Sequence, residues 1–534
     1  MPAQTYSCGR FLPCWLRLGL LALAITASGG AQAAAPSSLS AGQARHLLLR
    51  TGFAPTQAEV DALVGQSAEL AVQSLLDKAR AAQPLHPLPP LTVPMSFGRM
   101  ESPEAQRAAR QQQLREGLQL KTWWLREMLE TPTPLAERMT LFWHNHFATS
   151  QLKVVRSQVM WQQQQVLRAN ALGNFSTLLH EVAKTPAMLV YLDGANSRRD
   201  APNENFAREV MELFVLGEAS QHAAGLGGYS EQDIKEAARA FTGWSVDRDD
   251  FSFRQRPFFH DNGSKTLFGR TGNLDGDAVL DLMLAQPAAS RFIAGKLWRE
   301  FVAPAADAAQ GQADLQRVSD RLRDSGWDIA QALRTLLLSD SFWAPENRGA
   351  LIKSPVELVV GTLRQFGFTY TDVTPLVLKT AQLGQNLLAP PNVKGWPGYT
   401  DWINATTLLE RKRLSEQLFR AVAAAGDNTL MGASPATGGE MGADMAALRN
   451  PQAVALLGRE GALRTAEAIR HIRFDPEQWL RTYAGHADQE PSEPLKAALA
   501  QAMLAAPATQ EVAPGTVGVA YVRTLALDPA YQLK

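Results

Sequence analysis

Cysteine is nearly missing from this chain: the only two, Cys8 and Cys14, fall among its first residues. Beyond them, disulfides, cysteine metal sites and thiol catalysis are excluded. An excess of charge is missing too, with 52 basic against 52 acidic residues. Nucleic-acid binding usually demands a basic surface, so no nucleic acid is expected as a partner. No apolar run is long enough to span a membrane. The clearest, Leu18-Gly-Leu-Leu-Ala-Leu-Ala-Ile25, is far shorter than the roughly 20 residues a spanning helix needs. The chain also lacks His-Glu-x-x-His, Gly-x-Ser-x-Gly, a phosphate loop and a dinucleotide fingerprint. Zinc protease, serine hydrolase and nucleotide-binding readings lose their usual support.

What is present starts with Arg10 and Arg17, the short apolar core, and Ala31-Gln-Ala33 as a small-x-small cleavage site. Residues 1–33 therefore read as a secretory signal peptide. No twin arginine is present, which favours the general export route. Cys14 precedes the apolar core, whereas a lipid-attachment cysteine would have to follow it. Cleavage after Ala33 leaves 50 basic residues against 52 acidic ones, in a periplasmic or secreted protein with no stable membrane anchor. At 46% hydrophobic residues, such a chain can bury a large core without disulfides.

Helical spacing of apolar residues dominates, and the expected fold is mainly α: a large multi-helical body with one small β-hairpin excursion. Residues 34–534 read as a single large helical domain, with two packed lobes meeting near residues 340–400 as the alternative. The prolines from Pro84 to Pro94 predict an extended connector at 84–96, because proline removes donors and restricts its predecessor. Ser230 with Asp233, and Ser354-Pro-Val-Glu357, carry capping chemistry that predicts helices over 231–242 and 355–366. Alternation at Phe251-Ser-Phe253 and the Asn262-Gly263 turn place the hairpin in 250–270. Residues 425–446, rich in Gly, Ala and Met without periodicity, read as a flexible insertion.

The densest chemistry lies in Asn203-Glu-Asn-Phe-Ala-Arg-Glu-Val-Met-Glu-Leu-Phe-Val-Leu-Gly217. On a helix, Glu204, Arg208 and Glu212 form one stripe with Glu209 at its edge, giving two i,i+4 acid–base pairs. A solvated, weakly paired face is the bland reading. The apolar last turn argues instead for a buried polar network around Arg208, in which a carboxylate could be catalytic. In a helix starting near Pro134, His146 shares an arc with Leu135, Met139 and Phe142, while His144 falls opposite with Glu137. One metal cannot then bridge both imidazoles. His146 is a core histidine or a proton carrier. His260 and Asp261 precede Asn262-Gly263, so Asp261 supports a turn or joins His260 as an acid–base or metal-binding pair. Lys394, beside Gly395-Trp396-Pro397, suits contact with an anion or a sugar. The spatial expectation is that Glu204, Arg208, Glu209, Glu212, His146, Arg239, Trp244, His260 and Asp261 meet around one cleft. Lys394 and Trp396 would lie at its rim.

Together with Phe241-Thr-Gly-Trp244, Phe142-Trp-His-Asn-His-Phe147, Lys353-Ser-Pro-Val-Glu-Leu358 and Pro390-Pro-Asn-Val-Lys-Gly-Trp-Pro397, this segment resembles a large exported bacterial family catalogued as domain of unknown function 1800. The resemblance runs from about Ala44 to the C-terminus and implies no established activity. Two readings stand side by side. One is an acid–base or metal-assisted hydrolase acting on a polar envelope or extracellular substrate, for which a divalent metal is an open cofactor with no complete ligand set in the sequence. The other is a noncatalytic binding or assembly protein. For that reading the resemblance implies a partner, an exported sulfatase- or phosphatase-like protein, by analogy alone.

Overall fold

Helices form wherever the spacing predicts them, and most begin on a side-chain cap. The structure, a computed structural model, describes residues 35–92, 102–218, 228–426 and 451–534. The signal peptide at 1–33, the end of the 84–96 connector and nearly all of the 425–446 insertion lie outside the described residues. Ser230 and Ser354 each close a capping box, opening the helices Glu231–Ala240 and Pro355–Phe366. The second stops at Gly367, whose φ of 63° permits the left-handed turn that ends a helix. No helix among the described residues is long and apolar enough to cross a membrane.

Among the described residues, two small antiparallel sheets interrupt the helices. Strand β1 (Trp244–Val246) pairs with β2 (Phe253–Gln255), and β3 (Lys265–Leu267) with β4 (Arg270–Gly272). The expected hairpin region is thus split in two, and its tight turn is not Asn262-Gly263. Phe268 and Gly269, with φ of 48° and 76°, turn the β3–β4 hairpin, since a two-residue turn of this kind needs positive φ at both positions. Asp261 accepts the Gly263 amide at 2.8 Å and supports a loop instead.

The described part of the connector is extended and fastened to the long helix Pro103–Glu130. Glu127 accepts the amides of Leu85 and His86 at 2.9 and 2.7 Å, and Trp123 Nε1 donates to the His86 carbonyl at 3.0 Å. Proline keeps this strip extended, and the helix carboxylate satisfies the amides that remain.

The apolar interior is divided into two cores. One gathers residues between Leu39 and Trp343; the other joins the long helix to residues 356–531. The helix Pro134–His146 serves both, giving Leu135, Met139, Phe142 and Trp143 to the first and Leu141 to the second. It is buried on nearly every side, so its charged residues have to find partners inside. Glu137 receives Arg168 and the Trp124 indole. Arg138 reaches Glu300 at 2.6 Å and also Glu357, which takes Lys534 Nζ as well. Burial opposes ionisation of Glu357, but Arg138 and Lys534 overcome it and hold the carboxyl well below its ordinary 4.5. Around this group, burial pushes Lys534 down to about 8 and Lys353 down to about 7.

Breaking a buried ion pair by removing one partner costs about 3–5 kcal/mol, because the other charge is left unpaired. Glu357→Gln should therefore lower unfolding stability by about that amount in a urea titration. A loss under about 1 kcal/mol would show that the cluster does not join the cores. The sign with pH follows from the depressed carboxyl: the contribution of Glu357 is complete above its unfolded value and fades as pH falls through the folded one. The Glu357→Gln penalty should shrink accordingly in acid.

Candidate basic cleft

Where the two cores meet, a cleft of about 360 Å³ opens over the Arg138–Glu357 cluster. Its walls come from the helix Pro134–His146, the helix Pro287–Phe301, the start of the helix Pro355–Phe366, and the loop running from Lys394 to Trp402. Five basic side chains line it, Arg138, Lys296, Arg299, Lys394 and Lys534, against two carboxylates, Glu300 and Glu357. Both carboxylates are already held by Arg138.

The surplus charge comes from the helix Pro287–Phe301 and from Lys394 on the loop. Lys296 and Arg299 are neither hydrogen-bonded nor ion-paired with any described residue; Lys296 lies 5.2 Å from the Phe292 ring. Burial, then the neighbouring Arg299 and Lys394, push Lys296 down to about 8, with Glu218 working the other way. Lys394 pairs with Glu218 at 2.7 Å, and that bond raises its pKa, helped by Glu209 and Glu212. Buried His146 is held well below 6.5 by desolvation and by the same Lys296 and Arg299. It is therefore neutral. Its Nε2–H donates to the Phe214 carbonyl at 3.0 Å, which leaves Nδ1 as a buried acceptor without a partner.

The loop is positioned by a close approach. Trp396 N donates to Asn145 Oδ1 at 2.6 Å, and Lys394 N to Asn392 Oδ1 at 2.9 Å. Gly395 sits at φ 90°, and a Cβ there would strike the carbonyl and amide oxygens of Asn145. Only glycine allows the loop to close on the histidine helix.

The structure distributes the sequence-predicted residues among three places. His146, Lys394 and Trp396 line the cleft. Glu209 and Glu212 lie close enough to act on Lys394, and burial together with Glu212 raises the Glu209 carboxyl. Glu204 is exposed, and Arg208 turns outward to grip Glu231 at 2.8 and 2.7 Å, with Glu212 at 3.6 Å. The expected helix is α over Glu204–Glu209 and then π over Val210–Val215, so the straight polar stripe is not kept.

Arg239, Trp244, His260 and Asp261 do not line the cleft. They fasten the small sheets to the helix Glu231–Ala240. Asp261 receives Arg239 at 2.8 and 3.2 Å, and that contact lowers its pKa. His260 Nδ1 donates to the Thr242 carbonyl at 2.8 Å. Trp244 is buried against Phe241 and Phe253, with ring centroids 5.0 and 5.7 Å away. The single expected convergence is thus divided, because these polar groups satisfy one another locally. His144 packs between Trp124 and Trp396 at 5.6 and 5.4 Å, on the side of Glu137, away from His146. Among the described residues, no group of three His, Cys, Asp or Glu side chains is placed to hold a metal ion.

Sequence reasoning passed over Arg138, Lys296, Arg299, Glu300, Glu357 and Lys534 as site residues. For Lys296 and Arg299 a signal existed, since i,i+3 spacing puts two cations on one helix face. For Glu357 and Lys534 there was none, because their meeting spans the chain.

Comparison with known proteins gives one match: no curated protein and no solved structure matches the chain. A family model described as protein of unknown function (DUF1800) matches residues 46–533. With almost the whole length matched, the chain belongs to the DUF1800 family.

Proposed function

We propose that this is an exported recognition protein whose basic cleft holds the acidic group of a polar envelope or extracellular ligand. The observation that carries the reading is the pair Lys296 and Arg299, which line the cleft without an ion-pair partner among the described residues while both lining carboxylates are committed to Arg138. Gathered cations repel one another, and an anion bound among them relieves that repulsion with charge-assisted hydrogen bonds. Recognition stands ahead of acid–base or metal-assisted hydrolysis because the cleft lining offers no uncommitted carboxylate. Glu209, raised by burial beside Lys394, is the residue on which a hydrolytic reading would rest. As a noncatalytic component, the protein would work beside an exported sulfatase- or phosphatase-like partner.

Inorganic sulfate or phosphate should bind the purified protein and raise its melting temperature, by the equivalent of about 2.7 kcal/mol at a hundred times the dissociation constant. The double variant Lys296→Met, Arg299→Met should lose at least about tenfold in affinity, or about 1.4 kcal/mol, in isothermal titration. Equal binding by wild type and variant would refute the proposal.

Affinity should also depend on pH in a defined direction. Lys296 is charged below about 8 and neutral above it, so the affinity for sulfate, whose own charge is constant here, should be flat near neutrality and fall as pH rises through that value. Lys394, with its pKa raised, does not contribute to the fall. In Lys296→Met the step should vanish; a step that persists would assign it to Lys534, which also lines the cleft and is pushed down to about 8.

A further inference from the structure

Among the described residues Lys296 and Arg299 have no ion-pair partner, but Lys394 has one. Its ammonium lies 2.7 Å from Glu218 Oε1, and Glu218 follows directly on the turn that ends the polar segment 203–217. Gly217 makes that turn at φ 87°, where a Cβ would lie 2.9 Å from the Phe292 ring. Phe292 belongs to the helix Pro287–Phe301, and its ring is the one beside Lys296. The Tyr229 hydroxyl donates to the Gly217 carbonyl at 3.1 Å. The chain is thus closed against the helix that carries Lys296 and Arg299 just before it delivers the Glu218 carboxylate, which acts on Lys296 as well.

Glu300, Glu357 and Glu218 are not equally held. Glu300 and Glu357 share Arg138, whose side chain is only 2% exposed, so releasing them would leave a charge unpaired in the interior. The Glu218–Lys394 pair stands at the surface, with side chains 36% and 67% exposed. A pair of that kind shifts an equilibrium by about fivefold or less. Lys394 N is fixed on Asn392, and nearby Trp396 N on Asn145, so the loop backbone stays in place while the long, flexible lysine side chain turns. An anion entering among Lys296, Arg299 and Lys394 therefore meets in Glu218 a rival for one ammonium, and a rival it is able to displace.

Resting on the anion reading above, we propose that Glu218 is a built-in competitor of the acidic ligand: it occupies the Lys394 ammonium, and the anionic group of the ligand displaces it. A group that touches Lys394 alone gains no more than the carboxylate it removes. One that also touches Lys296 and Arg299 gains two cations that have no other ion-pair partner among the described residues. The contact favours an anion seated within the cleft over one held at its surface.

Isothermal titration of sulfate near neutrality into the wild type, Glu218→Gln, Lys394→Met and the double variant tests this, with the melting temperature of each variant without sulfate reporting that it is folded. Glu218→Gln should bind sulfate about three- to fivefold more tightly than the wild type. In the Lys394→Met background the same change should leave affinity nearly unaltered, because no ammonium remains to be released. Equal or weaker binding by Glu218→Gln would show that Glu218 seats Lys394 instead of competing for it, and a gain of the same size without Lys394 would assign it to through-space repulsion. Either result overturns the competitor while the anion reading stands. If neither the wild type nor Glu218→Gln binds sulfate, both fall.

Discussion

Glu357 enters the interior because it is the third residue of a capped helix whose every face is buried. Its second oxygen caps the Ser354 amide at 2.7 Å, so the carboxylate cannot turn outward without undoing the helix start. A buried carboxylate needs compensating charge. Arg138, on the helix shared by the two cores, supplies it, and Lys534 adds a second cation. Arg138 reaches on to Glu300, so one guanidinium joins three helices. The arrangement of the two cores, and the cleft between them, depends on this charge being satisfied.

The cleft inherits its character from that arrangement. The acidic groups beneath it are consumed by Arg138, while Lys296 and Arg299 have no ion-pair partner among the described residues. Lys296 and Arg299 come from one helix and Lys394 from a loop closed on Asn145 through Gly395. The neutral state of His146 follows from its burial, with Lys296 and Arg299 adding to it. An acidic ligand would complete an electrostatic pattern that the fold leaves open.

The polar helix 203–217 has a humbler part than its composition suggests. Arg208 faces outward to Glu231, and the π turns from Val210 to Val215 carry the Phe214 carbonyl to His146. Its contribution to the cleft is through that carbonyl and through the field of Glu209 and Glu212 on Lys394. Arg239, Asp261 and His260 are likewise absorbed by local contacts, a role that a sequence cannot distinguish from catalysis because both require charge beside aromatic residues.

The sequence by itself determined the mainly helical class, the capped starts at Ser230 and Ser354, the opposite placement of His144 and His146, and the family. Each of these rests on residues within a few positions of one another, where spacing and capping act directly. Tertiary structure alone decided that Glu357 meets Arg138 and Lys534, that Lys296 and Lys394 line one cleft, and that His260 stays with Thr242 outside it. It also moved the hairpin turn to Phe268-Gly269. Those outcomes depend on which distant groups burial brings together, and local periodicity carries no information about the partner a buried charge will find.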